Sequence, residues 1–86
     1  MKTFTYEIRD PDGIHARPAG LLVKQAAQYE STIKISKGES RTADAKKIFS
    51  VMSLAVKQGE TAVVTVEGAD EEKAAEGMKN FFEQNL

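Results

Sequence analysis

Phe4, Tyr6 and Ile8 fall on one side of an alternating run, with Thr3, Thr5 and Glu7 on the other. A period of two is that of a strand with one buried face, so Thr3 to Ile8 is predicted to be a half-buried β-strand. Asp10-Pro11-Asp12-Gly13 interrupts it, because proline presets a turn and glycine takes positive φ without steric cost. From Ala19 the period changes. Ala19, Leu22, Val23, Ala26 and Ala27 recur at i, i+3, i+4, i+7 and i+8, one stripe of an amphipathic helix. Pro18 suits the first turn of that helix, where an amide needs no helical partner.

Alternation returns at Ser31 to Ser36, with Ile33 and Ile35 facing in. Lys37-Gly38-Glu39 reads as a hairpin turn and Ser40 to Ala43 as a short polar strand. Asp44 is the expected N-cap of a second helix running to about Lys57, with Gly59 as its stop. Thr61 to Glu67 alternates again, Ala62, Val64 and Val66 sharing a face. Asp70 then caps a last helix whose Ala74, Met78, Phe81 and Phe82 line up, and Glu71 and Glu72 favour its positive end. The order is βαββαβα. Because every strand alternates, the sheet is expected to be antiparallel with one covered face. Three singly striped helices can cover that face, giving an α+β, two-layer open-faced sandwich.

Composition narrows the function. Eighty-six residues, 1–86, suffice for a single domain and not for two. Such a chain buries only roughly 60–65% of its unfolded surface and has no deep interior for a large substrate. The absence of cysteine excludes disulfides, thiolate metal sites and a cysteine nucleophile. A single histidine leaves only carboxylates as further ligands, so neither a metal nor another cofactor is expected. Twelve basic residues against thirteen acidic ones give no electrostatic case for nucleic acid or an anionic membrane. The opening MKTFTYEIRD lacks the apolar core of a signal peptide and no run is long enough to span a bilayer, so a cytoplasmic protein is expected.

The one histidine, His15, stands between the turn and the first helix, in GIHARPAG. Backbone N–H groups of a helix's first turn lack internal partners and carry the positive end of the dipole, which makes a ready anion site. Arg17 adds donors in a fork suited to phosphate. Imidazole keeps a neutral, nucleophilic nitrogen near neutral pH and forms covalent intermediates. Two readings therefore stand together: an ordinary surface residue at a helix cap, or a phosphoryl acceptor beside orphan amides and an arginine. No second group is evidently placed to orient the ring as the base of a hydrolytic triad.

Gly13-Ile14-His15-Ala16-Arg17-Pro18-Ala19 resembles the active-site signature of the HPr family, the histidine-containing phosphocarriers of the bacterial phosphotransferase system. Lys46-Lys47-Ile48-Phe49-Ser50-Val51-Met52-Ser53-Leu54 resembles the family's second signature, and length and element order agree as well. The resemblance implies that His15 accepts a phosphoryl group on Nδ1 from enzyme I, itself charged by phosphoenolpyruvate, and passes it to IIA domains of sugar permeases. It implies that Arg17 stabilises the phosphorylated and transfer states, and that the backbone of Ala16 and Arg17 binds the phosphate. It also implies a sheet order of one-four-two-three and a carrier rather than an enzyme with its own turnover. A monomer suits such a shuttle. Two alternatives keep part of this picture: a regulatory binding module that carries no phosphate, and a paralogue serving nitrogen-related phosphotransfer or dihydroxyacetone kinase.

The second helix holds apolar residues at 48, 49, 51, 52, 54, 55 and 56, more than one core-facing stripe needs. Either the helix is deeply buried or some of these side chains form an exposed partner patch. By resemblance, Ile48, Phe49 and Met52 form that patch, Val51 and Leu54 face the core, and Ala16, Gly20, Leu21 and Lys24 complete the surface around the histidine. In the Gram-positive branch of the family this helix begins with a serine that HPr kinase/phosphorylase modifies, recruiting a transcriptional regulator. Here Lys47 holds that place, so neither the kinase nor the regulator is expected as a partner; Ser50 and Ser53 lie near but do not match the position.

Overall fold

A computed structural model describes residues 1–38 and 41–86. Among these the element order is β1 (Lys2–Glu7), α1 (Ala16–Ala26), β2 (Thr32–Lys37), β3 (Arg41–Asp44), α2 (Ile48–Ser53), β4 (Thr61–Glu67) and α3 (Glu71–Asn85). The strands form one sheet in the order β1-β4-β2-β3, with each neighbouring pair antiparallel. Glu39 of the expected hairpin turn and Ser40 of the expected third strand lie outside the described residues.

Register explains why one face of the sheet is apolar throughout. Phe4 pairs with Val64, Val64 with Ile35, and Ile35 with Ala43, so a single apolar row crosses all the strands. Beside it run Tyr6 with Ala62, and Ile33 with Val66. A slip of one residue would turn every one of these side chains to the solvent face, which is why the alternation was decisive. Against the row pack Leu22 and Ala26 of α1, Val51 of α2, and Ala74, Met78 and Phe82 of α3, all fully buried. Phe82 anchors the contact, meeting Phe4 and Tyr6 edge-on at centroid distances of 5.8 and 5.6 Å.

α1 begins at Ala16, so Pro18 stands in its first turn as expected. Two sequence expectations need correction. The buried stripe of α1 stops at Ala26, and Ala27 is the exposed C-cap. α2 is the larger correction. Asp44 does not cap it: the residue ends β3, its Oδ1 accepts the Lys46 N–H (2.9 Å), and its carbonyl accepts the Lys47 N–H (3.0 Å). The helix therefore starts at Ile48 with Lys47 as N-cap. It closes before Lys57 because the chain turns away at Ala55, whose φ is 51°. Two cations from the β2–β3 strands receive the carbonyls there: Arg41 Nη1 donates to Ser53 O (2.9 Å) and Lys37 Nζ to Ala55 O (3.3 Å). Gly59 then serves the start of β4, donating its N–H to Ile8 O (2.8 Å).

Asp70 is the N-cap of α3 as expected, but its carboxylate does not cap that helix. It reaches across to the α1–β2 connection, accepting the backbone N–H groups of Glu30 (3.0 Å) and Ser31 (2.9 Å) and the Ser31 hydroxyl. Ser31 is the one buried polar residue among those described, and this carboxylate satisfies it. The hydroxyl bond, with the two amides, holds the Asp70 carboxyl below its ordinary value of 3.8.

Candidate functional site

The connection from β1 to α1 is pinned so tightly that His15 has a fixed address. Ile8 donates its N–H to Glu60 O (3.0 Å), and Arg9 and Asp10 donate theirs to Leu86 O (2.6 and 2.9 Å). Asp10 O then accepts the Gly13 N–H (2.9 Å), closing the Asp-Pro-Asp-Gly turn. Gly13 has φ +66°, and a Cβ built there would lie 2.2 Å from Val56 O, so only glycine fits. Next to it, buried Ile14 donates its N–H to Val56 O (2.9 Å) and drives its side chain into the core. His15 follows in extended conformation as the N-cap of α1, and its carbonyl accepts the first helical bond, from Ala19 N–H (2.9 Å).

That geometry leaves an anion site open. The backbone N–H groups of Ala16 and Arg17 have no hydrogen-bond partner among the described residues, and Pro18 has no N–H to offer. Both residues are exposed, and the Arg17 guanidinium makes no ion pair among the described residues. The imidazole is half-buried, its side chain 40% exposed. Around it lies a shallow hollow of about 280 Å³ lined by Asp10, His15, Arg17, Pro18, Leu21, Gln84 and Asn85. Such a hollow admits a phosphoryl group and leaves it reachable from outside.

Asp10 and the C-terminal end of α3 were not singled out from sequence. Asp10 was legible only as a turn former, although a tight turn five residues before His15 was the signal that it returns to the ring. Its Oδ2 lies 3.9 Å from His15 Nε2. Gln84 and Asn85 carried no signal, because their approach depends on how the whole of α3 crosses the sheet. Asp10, Asp12 and His15 also offer ligand atoms within 4.8 Å of one another. One imidazole and two surface carboxylates are not the donor set of a structural zinc ion.

The second group of residues sorts by exposure. Val51 and Leu54 are buried, whereas Phe49 is 84% exposed and Met52 38%. Ile48 is half-buried against the core edge and faces Gly20, where a built Cβ would stand 3.9 Å from its Cδ1. Leu21, at 45% exposure, and Lys24 lie on the outer side of α1, which packs against α2. An apolar ring that leaves 84% of itself in water gains nothing for folding. Lys47 stands exposed at the N-cap of α2.

Known proteins agree with this arrangement along the whole chain. The family model described as PTS HPr component phosphorylation site matches residues 2–84. The phosphocarrier protein HPr of Lysinibacillus sphaericus is 45% identical over 82 residues, spanning 95% of this chain and 92% of that protein. Among solved structures, HPr of Thermoanaerobacter tengcongensis superposes with a TM-score of 0.91 at 39% identity, over 98% of this chain and 93% of that one. Crh of Bacillus subtilis, solved as a dimer with a swapped domain, gives 0.77 at 31% identity over 100% and 98% of the two chains. With the same fold, a match from residue 2 to residue 84 and a histidine at an open helix start, the chain belongs to the HPr family of phosphocarriers of the phosphotransferase system.

Proposed function

We propose that His15 is the phosphoryl acceptor of this carrier, taking the group on Nδ1 from enzyme I and delivering it to IIA domains of sugar permeases. The observation that carries this reading is the N-cap position of His15 beside two unpartnered amides and an unpaired arginine. In the step itself the Nδ1 lone pair forms a bond to phosphorus while the donor's bond to phosphorus breaks, its electron pair staying with the donor. The amides of Ala16 and Arg17 and the Arg17 guanidinium would then receive the phosphoryl oxygens. Little else is required of a carrier, since its two partners supply the remaining catalytic groups. A regulatory module without phosphate chemistry would have no use for this pairing of ring and orphan donors.

Docking is assigned to the face formed by Ala16, Gly20, Leu21 and Lys24 of α1 with Ile48, Phe49 and Met52 of α2. Its support is the exposure of Phe49, Met52 and Leu21 on two packed helices. Methionine and a small apolar patch adapt to more than one partner, as a shuttle requires. The carrier works as a cytoplasmic single-domain monomer in this reading; no helix among the described residues is long and apolar enough to cross a membrane. The swapped dimer of the Bacillus relative is the alternative that sedimentation equilibrium would reveal.

Regulation through a serine at the start of α2 is not expected in this reading; its support is Lys47 at the N-cap. Incubation with HPr kinase/phosphorylase and ATP should give no phosphoserine; a stoichiometric label on any serine would refute this point. The carrier assignment is tested by incubation with enzyme I and phosphoenolpyruvate. The wild type should acquire one acid-labile, base-stable phosphate, and His15→Ala should acquire none.

A further inference from the structure

The Asp10 carboxylate faces the ring nitrogen of His15 that phosphoryl transfer at Nδ1 leaves unused, with Oδ2 3.9 Å from Nε2. We propose that Asp10 is a positioning residue for this transfer: it holds the ring proton on Nε2, so that Nδ1 presents its lone pair, and it balances the positive charge the ring gains on phosphorylation. The inference rests on the carrier reading and adds to it a residue outside the two signatures.

Both groups are anchored. The Asp10 N–H donates to Leu86 O (2.9 Å), and its carbonyl accepts the Gly13 N–H (2.9 Å). On the side chain, Oδ1 accepts the Asp12 N–H (2.8 Å), which leaves Oδ2 for the imidazole. His15 is fixed on the other side by its N–H donating to Gly13 O (3.1 Å) and its carbonyl accepting from Ala19 (2.9 Å). A separation of 3.9 Å is an ion-pair distance and not a hydrogen bond. Catalytic contacts of this kind are often long before the reacting group arrives.

The chemistry follows from charge. A neutral imidazole has one N–H. With the proton on Nε2 the N–H points at the carboxylate; with the proton on Nδ1, a lone pair would face it instead. The carboxylate therefore selects the tautomer that leaves Nδ1 free. When Nδ1 bonds to phosphorus and the donor keeps the electron pair of the broken bond, the Nε2 proton stays in place. The ring becomes cationic opposite Asp10. On delivery the acceptor bonds to phosphorus, the N–P electron pair returns to Nδ1, and the neutral ring is restored. No proton has to leave in either direction.

Asp10→Asn is the informative variant, because its amide oxygen still accepts the Asp12 N–H while the charge is gone. Measurements are made in EDTA, so that no metal held by Asp10, Asp12 and His15 contributes. Long-range 1H–15N spectra of unphosphorylated protein, recorded above the imidazole titration, should show the Nε2–H tautomer in the wild type and a shift toward Nδ1–H in Asp10→Asn. Transfer from enzyme I should slow roughly fivefold in the variant, the effect of one opposite charge at about 4 Å in water-like surroundings. An unchanged tautomer balance overturns the assignment, and so does an unchanged rate. Should Asp10→Asn lower the thermal midpoint, Asp10→Ser keeps a turn acceptor and carries the same test. If the wild type takes no phosphate, the carrier reading fails, while the spectra still report on Asp10 alone.

Discussion

At the scale of single residues, the site depends on what its neighbours leave unsatisfied. His15 is not deeply buried; it is the N-cap of α1 beside two unpartnered backbone amides, and it lines the same hollow as Arg17. If Arg17 holds the phosphoryl group as proposed, removing the guanidinium removes charged hydrogen bonds worth about 1.5–3 kcal/mol each. Arg17→Ala should therefore slow transfer from enzyme I by roughly 10- to 100-fold, with an unchanged thermal midpoint because the side chain is exposed. A large loss of stability would place Arg17 in the fold rather than in the chemistry. The placement was legible in the chain: GIHARPAG announced a histidine before a helix, and the second signature pointed to the family. Asp10 was hidden, since a Pro-Asp-Gly stretch explains itself as a turn and says nothing about where its first carboxylate points.

Among the elements, β4 and α3 were the easiest to read and α2 the hardest. Strict alternation over Thr61–Glu67 and a long single stripe over Glu71–Asn85 each agree with one period. At α2 the apolar residues run almost without gaps, so no period marks its ends. Its limits come instead from tertiary contacts: the Asp44 turn before it, and Arg41 and Lys37 on the carbonyls after it. The same crowding leaves Phe49 and Met52 outside the core, the exposure on which the proposed docking role rests. Phe49→Glu should leave the far-ultraviolet spectrum and thermal midpoint unchanged, since the ring is 84% exposed, while raising KM for enzyme I about tenfold or more. An unaltered KM would remove α2 from the docking face. Elsewhere Asp70 ties the start of α3 to the α1–β2 connection. Its carboxyl is held below 3.8 when folded, so the ionised form is favoured by folding. That contribution is complete above about pH 3.8 and is lost as pH falls through the lower folded value. Asp70→Asn should thus melt lower than the wild type at neutral pH, and acid titration followed by calorimetry should show the gap narrowing below about pH 3.8. A gap independent of pH would contradict the assigned role of the charge.

For the whole molecule, the open-faced architecture and the function fit together. One apolar row runs from Phe4 to Ala43 and is covered by three helices, which spends most of the large apolar residues on a single core. The surface keeps a shallow hollow at the start of α1 and a few exposed apolar side chains on α1 and α2, besides Met1. A carrier needs that combination: a stable frame, a group held at its rim, and an adaptable face that two different active sites can grip in turn. The sheet order came only from the family resemblance, whereas fold class was readable because alternation fixes which face of each strand is buried. The approach of α3's last turn to the histidine was not, since it depends on how the helix crosses the sheet. The central claim, that this frame exists to present a phosphorylated His15, is tested most directly by intact-protein mass spectrometry with 31P NMR after incubation with enzyme I and phosphoenolpyruvate. The account predicts one added phosphoryl group with the resonance of an Nδ1-phosphohistidine, discharged on addition of a IIA domain and absent from His15→Ala. An unmodified wild type, or a phosphate that survives in His15→Ala, would contradict it.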